Sequence, residues 1–221
     1  MTVAPSDGWY SRLRPYGARS WDSLAAAVIA ALTVSPAFSI GLQVPADQAC
    51  KAIAGATCLE EGNDFSRGEV DGMGFKLFYD GSGTAQVHES ADAVDPSKPA
   101  WYFTCSRDAV SGLKYCNAHA VGLWIEATNK GALIASVGSN QFPGSVTSLR
   151  VGDQRFDTTD RDGRFTPAAS ARIIKLMSKD GAKVATRFME WPYRSWNDSE
   201  SEMHGVGAVV KILQWSVGAG K

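Results

Sequence analysis

The chain has 221 residues, 44% of them hydrophobic, which is ordinary globular composition with enough apolar material for one substantial core. Twenty-two basic side chains against 23 acidic ones give a net charge of −1, and no basic run of five or more occurs. Both facts weigh against an electrostatic nucleic-acid binder, which concentrates Lys and Arg to neutralise phosphates.

The first element is a targeting segment, residues 1–39. Arg12, Arg14 and Arg19 precede the uncharged run "LAAAVIAALTV" from Leu24 to Val34, and Ala37 and Ser39 follow Ser35-Pro36. A positive region, an apolar region and a small-x-small site stand in the order of a signal peptide. Cleavage is expected after Ser39. The alternatives are an uncleaved anchor and a buried helix, but the run is short against the ~20 residues a bilayer crossing needs. No transmembrane span is expected in the mature chain. Leu13 separates Arg12 from Arg14, so no twin-arginine pair is present.

Residues 40–98 read as an N-terminal extension. "PADQACKAIA" predicts a short helix ended by Gly55, and "MGFKLFYDGSGTAQVHES" alternates apolar residues around Asp80-Gly81-Ser82-Gly83, a hairpin signal. The loop "ADAVDPSKPA" then leads to a β-rich region over 99–217. There "AWYFTC" and "LKYCNAHAVGLWIEA" read as strands around "SRDAVSG", followed by "ALIASVG". "VTSLRV" and "QRFDT" flank Gly152-Asp153, a two-residue hairpin connection. "AKVATRFMEW" is a further strand, rich in β-formers.

The stretch "FDTTDRDGRFTPAASARII" resembles half a calcium loop. With Gly163 at the sixth position of such a loop, the first and twelfth positions are Thr158 and Ala169, so the bidentate glutamate is missing. The better reading is a turn at Asp162-Gly163, then Thr166 as N-cap and Pro167 in the first helical turn. Ala169, Ile173, Leu176 and Met177 form one apolar face of that helix, and Gly181 ends it. A second helix is indicated through Val206, Val209, Val210 and Leu213, weakened by Gly205 and Gly207. The expected fold is α+β and mainly antiparallel: a β-sandwich or barrel-like sheet with one packed helix and a second, C-terminal one.

Cys50, Cys58, Cys105 and Cys116 all follow the leader, and four cysteines allow three pairings. Their spacing is wider than the paired two-to-four-residue spacing of zinc ribbons. Two local disulfides, Cys50–Cys58 and Cys105–Cys116, are the expectation in an oxidising compartment. Trp101, Phe103 and Cys105 share one strand face, as do Cys116, Ala118 and Ala120 on the next, so the second bridge would pin a hairpin's register. No metal site is expected.

Chemistry-bearing motifs are scarce. His88, His119 and His204 are scattered, no G-x-S-x-G elbow occurs, and no dinucleotide or P-loop glycine pattern implies a cofactor. The unusual stretch is "FMEWPYRSWND". Trp191, Tyr193, Arg194 and Trp196 follow a strand closely, and such residues are what protein interfaces and sugar sites use. They are the candidate binding residues, unless the tryptophans fold back onto the sheet as lids.

"AWYFTC…YC", "GALIASVGSNQFPGSVTSLRV", "FTPAASARIIKLMSKDGAKVATRF" and "GVGAVVKIL" together resemble the invasion-associated locus B family, over about residues 100–215. Members commonly carry a further cysteine pair at the start of the helix, where this chain reads "RFTPAASA". The resemblance implies a periplasmic or outer-membrane-associated β-rich protein and supplies no catalytic residues. The expected function is non-enzymatic binding of an envelope or host partner, protein or glycan. The alternatives are a periplasmic hydrolase with an unrecognised Ser/His/Asp site and a structural envelope component.

Overall fold

The computed structural model describes residues 49–78, 85–88, 100–130 and 133–218. The segments expected to be a leader (1–39), a hairpin turn at Asp80–Gly83 and a loop over 91–99 lie outside them. All described residues belong to one unit, Pro36–Lys221.

Among the described residues twelve strands form two open antiparallel sheets, so the chain is α+β and sandwich-like. In the larger sheet each strand pairs with the next: β1 (Thr57–Glu61), β2 (Phe65–Val70), β3 (Met73–Phe78), β4 (Ala85–His88), β5 (Trp101–Arg107), β6 (Lys114–Ala120), β7 (Leu123–Thr128) and β8 (Ile134–Val137). The smaller sheet has the order β10-β9-β11-β12, from β9 (Thr147–Val151), β10 (Gln154–Thr158), β11 (Ala182–Glu190) and β12 (Ser195–Met203). Helix α1 (Pro167–Met177) packs mainly on β8, and α2 (Val206–Gly218) on β6 and β7. One buried cluster joins both sheets and both helices, through Trp101, Phe103, Leu149, Val184, Ile173 and Leu213 among others.

Period-two burial on β5 puts Trp101, Phe103 and Cys105 inward. Trp101 satisfies its buried indole N–H by donating to the His204 carbonyl, at 2.9 Å. Cys105 lies directly opposite Cys116, with Cα atoms 4.1 Å apart, and the two are disulfide-bonded. Cys50 and Cys58 form the other bridge, between a 3-10 turn (Cys50–Ala52) and β1.

Two stretches depart from the sequence reading. "LKYCNAHAVGLWIEA" is two strands, because Val121 (φ 47°) and Gly122 (φ 74°) make a two-residue connection between Ala120 and Leu123. A β-branched residue at positive φ is unfavourable, so no local signal marked that turn. The second departure is the edge pair β1–β2, polar strands of which β1 is largely exposed and β2 half buried. Gly68 there faces Cys58, and a β-carbon on it would fall 2.6 Å from the Phe75 ring. Close approach around the first disulfide requires that glycine.

The acidic stretch behaves as a turn. Asp160 Oδ1 accepts from the amides of Asp162 and Arg164, at 2.9 and 3.2 Å, and Thr166 Oγ1 accepts from the Ala169 amide as the N-cap of α1. Thr158 Oγ1, the supposed first ligand, donates to the Arg164 carbonyl.

Candidate binding surface at the β11–β12 hairpin

β11 and β12 pair without a break from Ala182↔Met203 to Glu190↔Ser195. This long ladder projects its four-residue connection, Trp191 to Arg194, beyond the sheet. The Trp191–Pro192 peptide is cis and Arg194 has φ 51°. Trp191, Tyr193 and Trp196 are 45%, 74% and 50% exposed, so none of them is folded back onto the sheet as a lid.

A neighbouring loop braces the tip. The Phe142 amide donates to the Met189 carbonyl (2.7 Å) and the Trp191 amide to the Asn140 carbonyl (2.9 Å). Gln141 pairs with Glu190 as an isolated bridge, and its buried side chain donates to the Val137 carbonyl at 2.8 Å. The rings also touch: Phe142 and Trp191 have centroids 5.3 Å apart, and the Arg194 guanidinium lies 4.7 Å from the Phe142 centroid. The structure thus brings Trp191, Arg194 and Phe142 into one cluster at the tip. Phe142 escaped the sequence reading because "QFPG" reads only as a loop.

Trp196 belongs to the outer face of the smaller sheet, where the Arg187 guanidinium lies 5.7 Å from its ring centroid. Arg187 makes a two-pronged pair with Asp198, at 2.7 and 2.6 Å. These bonds raise the Arg187 pKa and hold the Asp198 carboxyl below its usual range. On β10, two strands from β11, Asp157 is likewise held low, first by the Ser148 hydroxyl and then by Arg155. The Arg187–Asp198 and Ser148–Asp157 pairs were not legible in sequence, since each depends on strand register.

Elsewhere, Ser178, Asp180 and His204 line one hollow of about 570 Å³ beside the start of α2. His204 Nδ1 and Asp180 Oδ1 are 2.8 Å apart. The Ser178 hydroxyl, however, donates to the Ile174 carbonyl at 2.8 Å as part of the C-terminal cap of α1, and the Asp180 side chain is 86% exposed. A triad needs its serine directed at the imidazole and its carboxylate held out of water. His119 sits half-buried in a cross-strand stack, 5.6 Å from the Tyr102 ring and 4.5 Å from the Trp124 ring by centroids, and burial lowers its pKa. Among the described residues, no group of three or more His, Cys, Asp or Glu side chains is placed to hold a metal, and no helix is long and apolar enough to cross a membrane.

No protein-family model, no curated protein and no solved structure matches this chain.

Proposed function

We propose that this chain is an exported, non-enzymatic binding protein that engages an envelope or host partner through the β11–β12 tip. The observation that carries the reading is the exposure of three large aromatics, Trp191, Tyr193 and Trp196, at one hairpin end. Large aromatics are mostly buried on average, and together with arginine they supply the anchors of interfaces. The bracing loop fixes the tip before any partner arrives, which lowers the ordering cost of association. Two disulfides suit an oxidising compartment. With the leader they support a periplasmic or secreted location, in keeping with the resemblance to invasion-associated locus B proteins.

The test is capture of partners from an envelope extract by wild type and by Tyr193→Ala/Trp196→Ala, after equal melting temperatures have been shown. Loss of capture in the folded variant is expected. Equal capture by both would remove the tip as the contact surface.

Hydrolysis at Ser178, His204 and Asp180 is the second reading, favoured by their convergence in one hollow. The committed serine proton and the water-exposed carboxylate place it behind binding. Covalent labelling by a fluorophosphonate, abolished by Ser178→Ala, would bring it forward.

A further inference from the structure

Beyond the tip, the outer face of the smaller sheet has a shape and a charge balance of its own. A shallow basin of about 340 Å³ lies there, lined by Arg150, Ala185, Arg187, Asp198 and Glu200 among others. Register explains its form. Ala185 is paired with Glu200 on one side and Arg150 on the other, and Arg187 with Asp198. A methyl group therefore forms the floor between taller charged walls. Alternation along β12 places Trp196, Asp198 and Glu200 on one face, and the contact of Arg187 with the indole joins Trp196 to the end of the basin.

We propose that this face is a subsite for a neutral oligosaccharide lying along β12 from Trp196 to Glu200. The inference rests on the reading of the tip as a binding surface and names the ligand class for its sheet-facing side. Three observations carry it. First, three arginines (Arg150, Arg155, Arg187) stand against three carboxylates (Asp157, Asp198, Glu200), joined by the pairs already described and by an Arg150–Glu200 contact of 3.8 Å. Such a balanced patch does not attract phosphate or a polyanion. It does offer donors and acceptors side by side, which is what sugar hydroxyls require, because each of them both donates and accepts. The two-pronged Arg187–Asp198 pair leaves further N–H groups and lone pairs free in a fixed geometry. Second, the half-exposed indole of Trp196 supplies an apolar face beside those polar groups, the combination found in small-molecule sites. Third, the span from Trp196 to Glu200 is about 13 Å at strand rise, the length of a short oligosaccharide. β12 is an edge strand, and edge protection accounts for its acidic residues. It does not account for a tryptophan and an alanine-floored basin on the same face.

The test is calorimetric titration of the full mature protein with three neutral tetrasaccharides (maltotetraose, cellotetraose and chitotetraose) and with dextran sulfate as the polyanion. Two variants probe the basin and leave the tip side chains themselves in place, although Arg187 also neighbours the Trp196 ring. Ala185→Tyr fills the floor, and Arg187→Ala/Asp198→Ala removes the pair at constant net charge. The expected result is saturable binding of at least one neutral tetrasaccharide, weakened at least about tenfold by either variant at unchanged melting temperature. No neutral tetrasaccharide binding at concentrations up to about 10 mM, the weak end of specific affinities, would overturn the proposal. Binding of dextran sulfate alone, or saccharide binding indifferent to both variants, would overturn it too. If the saccharides fail while envelope capture still depends on Tyr193 and Trp196, the tip reading stands and only the ligand class falls. If saccharide binding obeys the basin variants while capture ignores Tyr193→Ala/Trp196→Ala, the basin stands and the tip reading falls.

Discussion

Replacing Gly138 with alanine probes how the bracing loop is seated against the hairpin that carries the tip. Gly138 ends β8 with φ 64°, and its amide donates to the Gly122 carbonyl at 2.9 Å. An added β-carbon would lie 2.6 Å from Phe188 Cδ2 and 2.8 Å from Cε2 and Cγ, so the whole ring of a β11 residue stands in its way. Left-handed backbone costs an L-residue roughly 1–2 kcal/mol, of which alanine regains about 0.4–1 kcal/mol through its stiffer unfolded chain. Overpacking adds about 1–3 kcal/mol. Gly138→Ala is therefore expected to destabilise by about 2–4 kcal/mol, read as a lower denaturation midpoint at unchanged slope. In a Phe188→Ala background the clash is absent, and the same substitution should cost only about 1 kcal/mol. The double-mutant cycle then shows a coupling of about 1–3 kcal/mol. Additive effects would refute the steric account and leave only backbone strain at Gly138.

Cys105→Ala/Cys116→Ala opens a loop with a sequence separation of 11, for which chain entropy gives about 2.8 kcal/mol. Chemical denaturation of the oxidised proteins checks this, and a variant as stable as wild type would contradict it. Burial holds His119 below its usual 6.5, so the folded chain favours the neutral ring while the unfolded chain takes up a proton as pH falls past 6.5. Its contribution is full above that value and declines on acidification; melting curves of wild type and His119→Phe should diverge there, and parallel pH profiles would contradict the effect of burial on the ring. N-terminal sequencing of protein recovered from the periplasm or medium is expected to begin at Ile40, and a membrane-retained product starting at Met1 would contradict export with cleavage.

Local grammar made much of the fold legible. The Gly152-Asp153 connection, the Thr166 cap with Pro167, and the alternation of Trp101, Phe103 and Cys105 each need only a few neighbouring residues, and each is found where expected. Gly205 and Gly207 obscured the second helix, yet Gly205 precedes α2 and Gly207 sits in its first turn, where helix propensity matters least. What was not legible depends on distant partners. β1 and β2 are polar strands held by a disulfide and by pairing to β3. The Val121-Gly122 turn is imposed by the pairing of β6 with β7 against the preference of valine. At the candidate site, the sequence named Trp191, Tyr193, Arg194 and Trp196, but their exposure, the support from Phe142 and the Arg187–Asp198 pair are products of register.

The central claim is that the tip binds, and affinity for a partner isolated from the envelope extract tests it most directly. Truncating an aromatic anchor at an interface centre typically costs about 2 kcal/mol or more, which is roughly thirtyfold in Kd. With melting temperatures matched, Tyr193→Ala/Trp196→Ala should weaken binding of the isolated partner by at least that factor, while Val110→Ala, at a fully exposed position on the β5–β6 connection, should leave it unchanged. Equal Kd values for wild type and the Tyr193→Ala/Trp196→Ala protein would contradict the account.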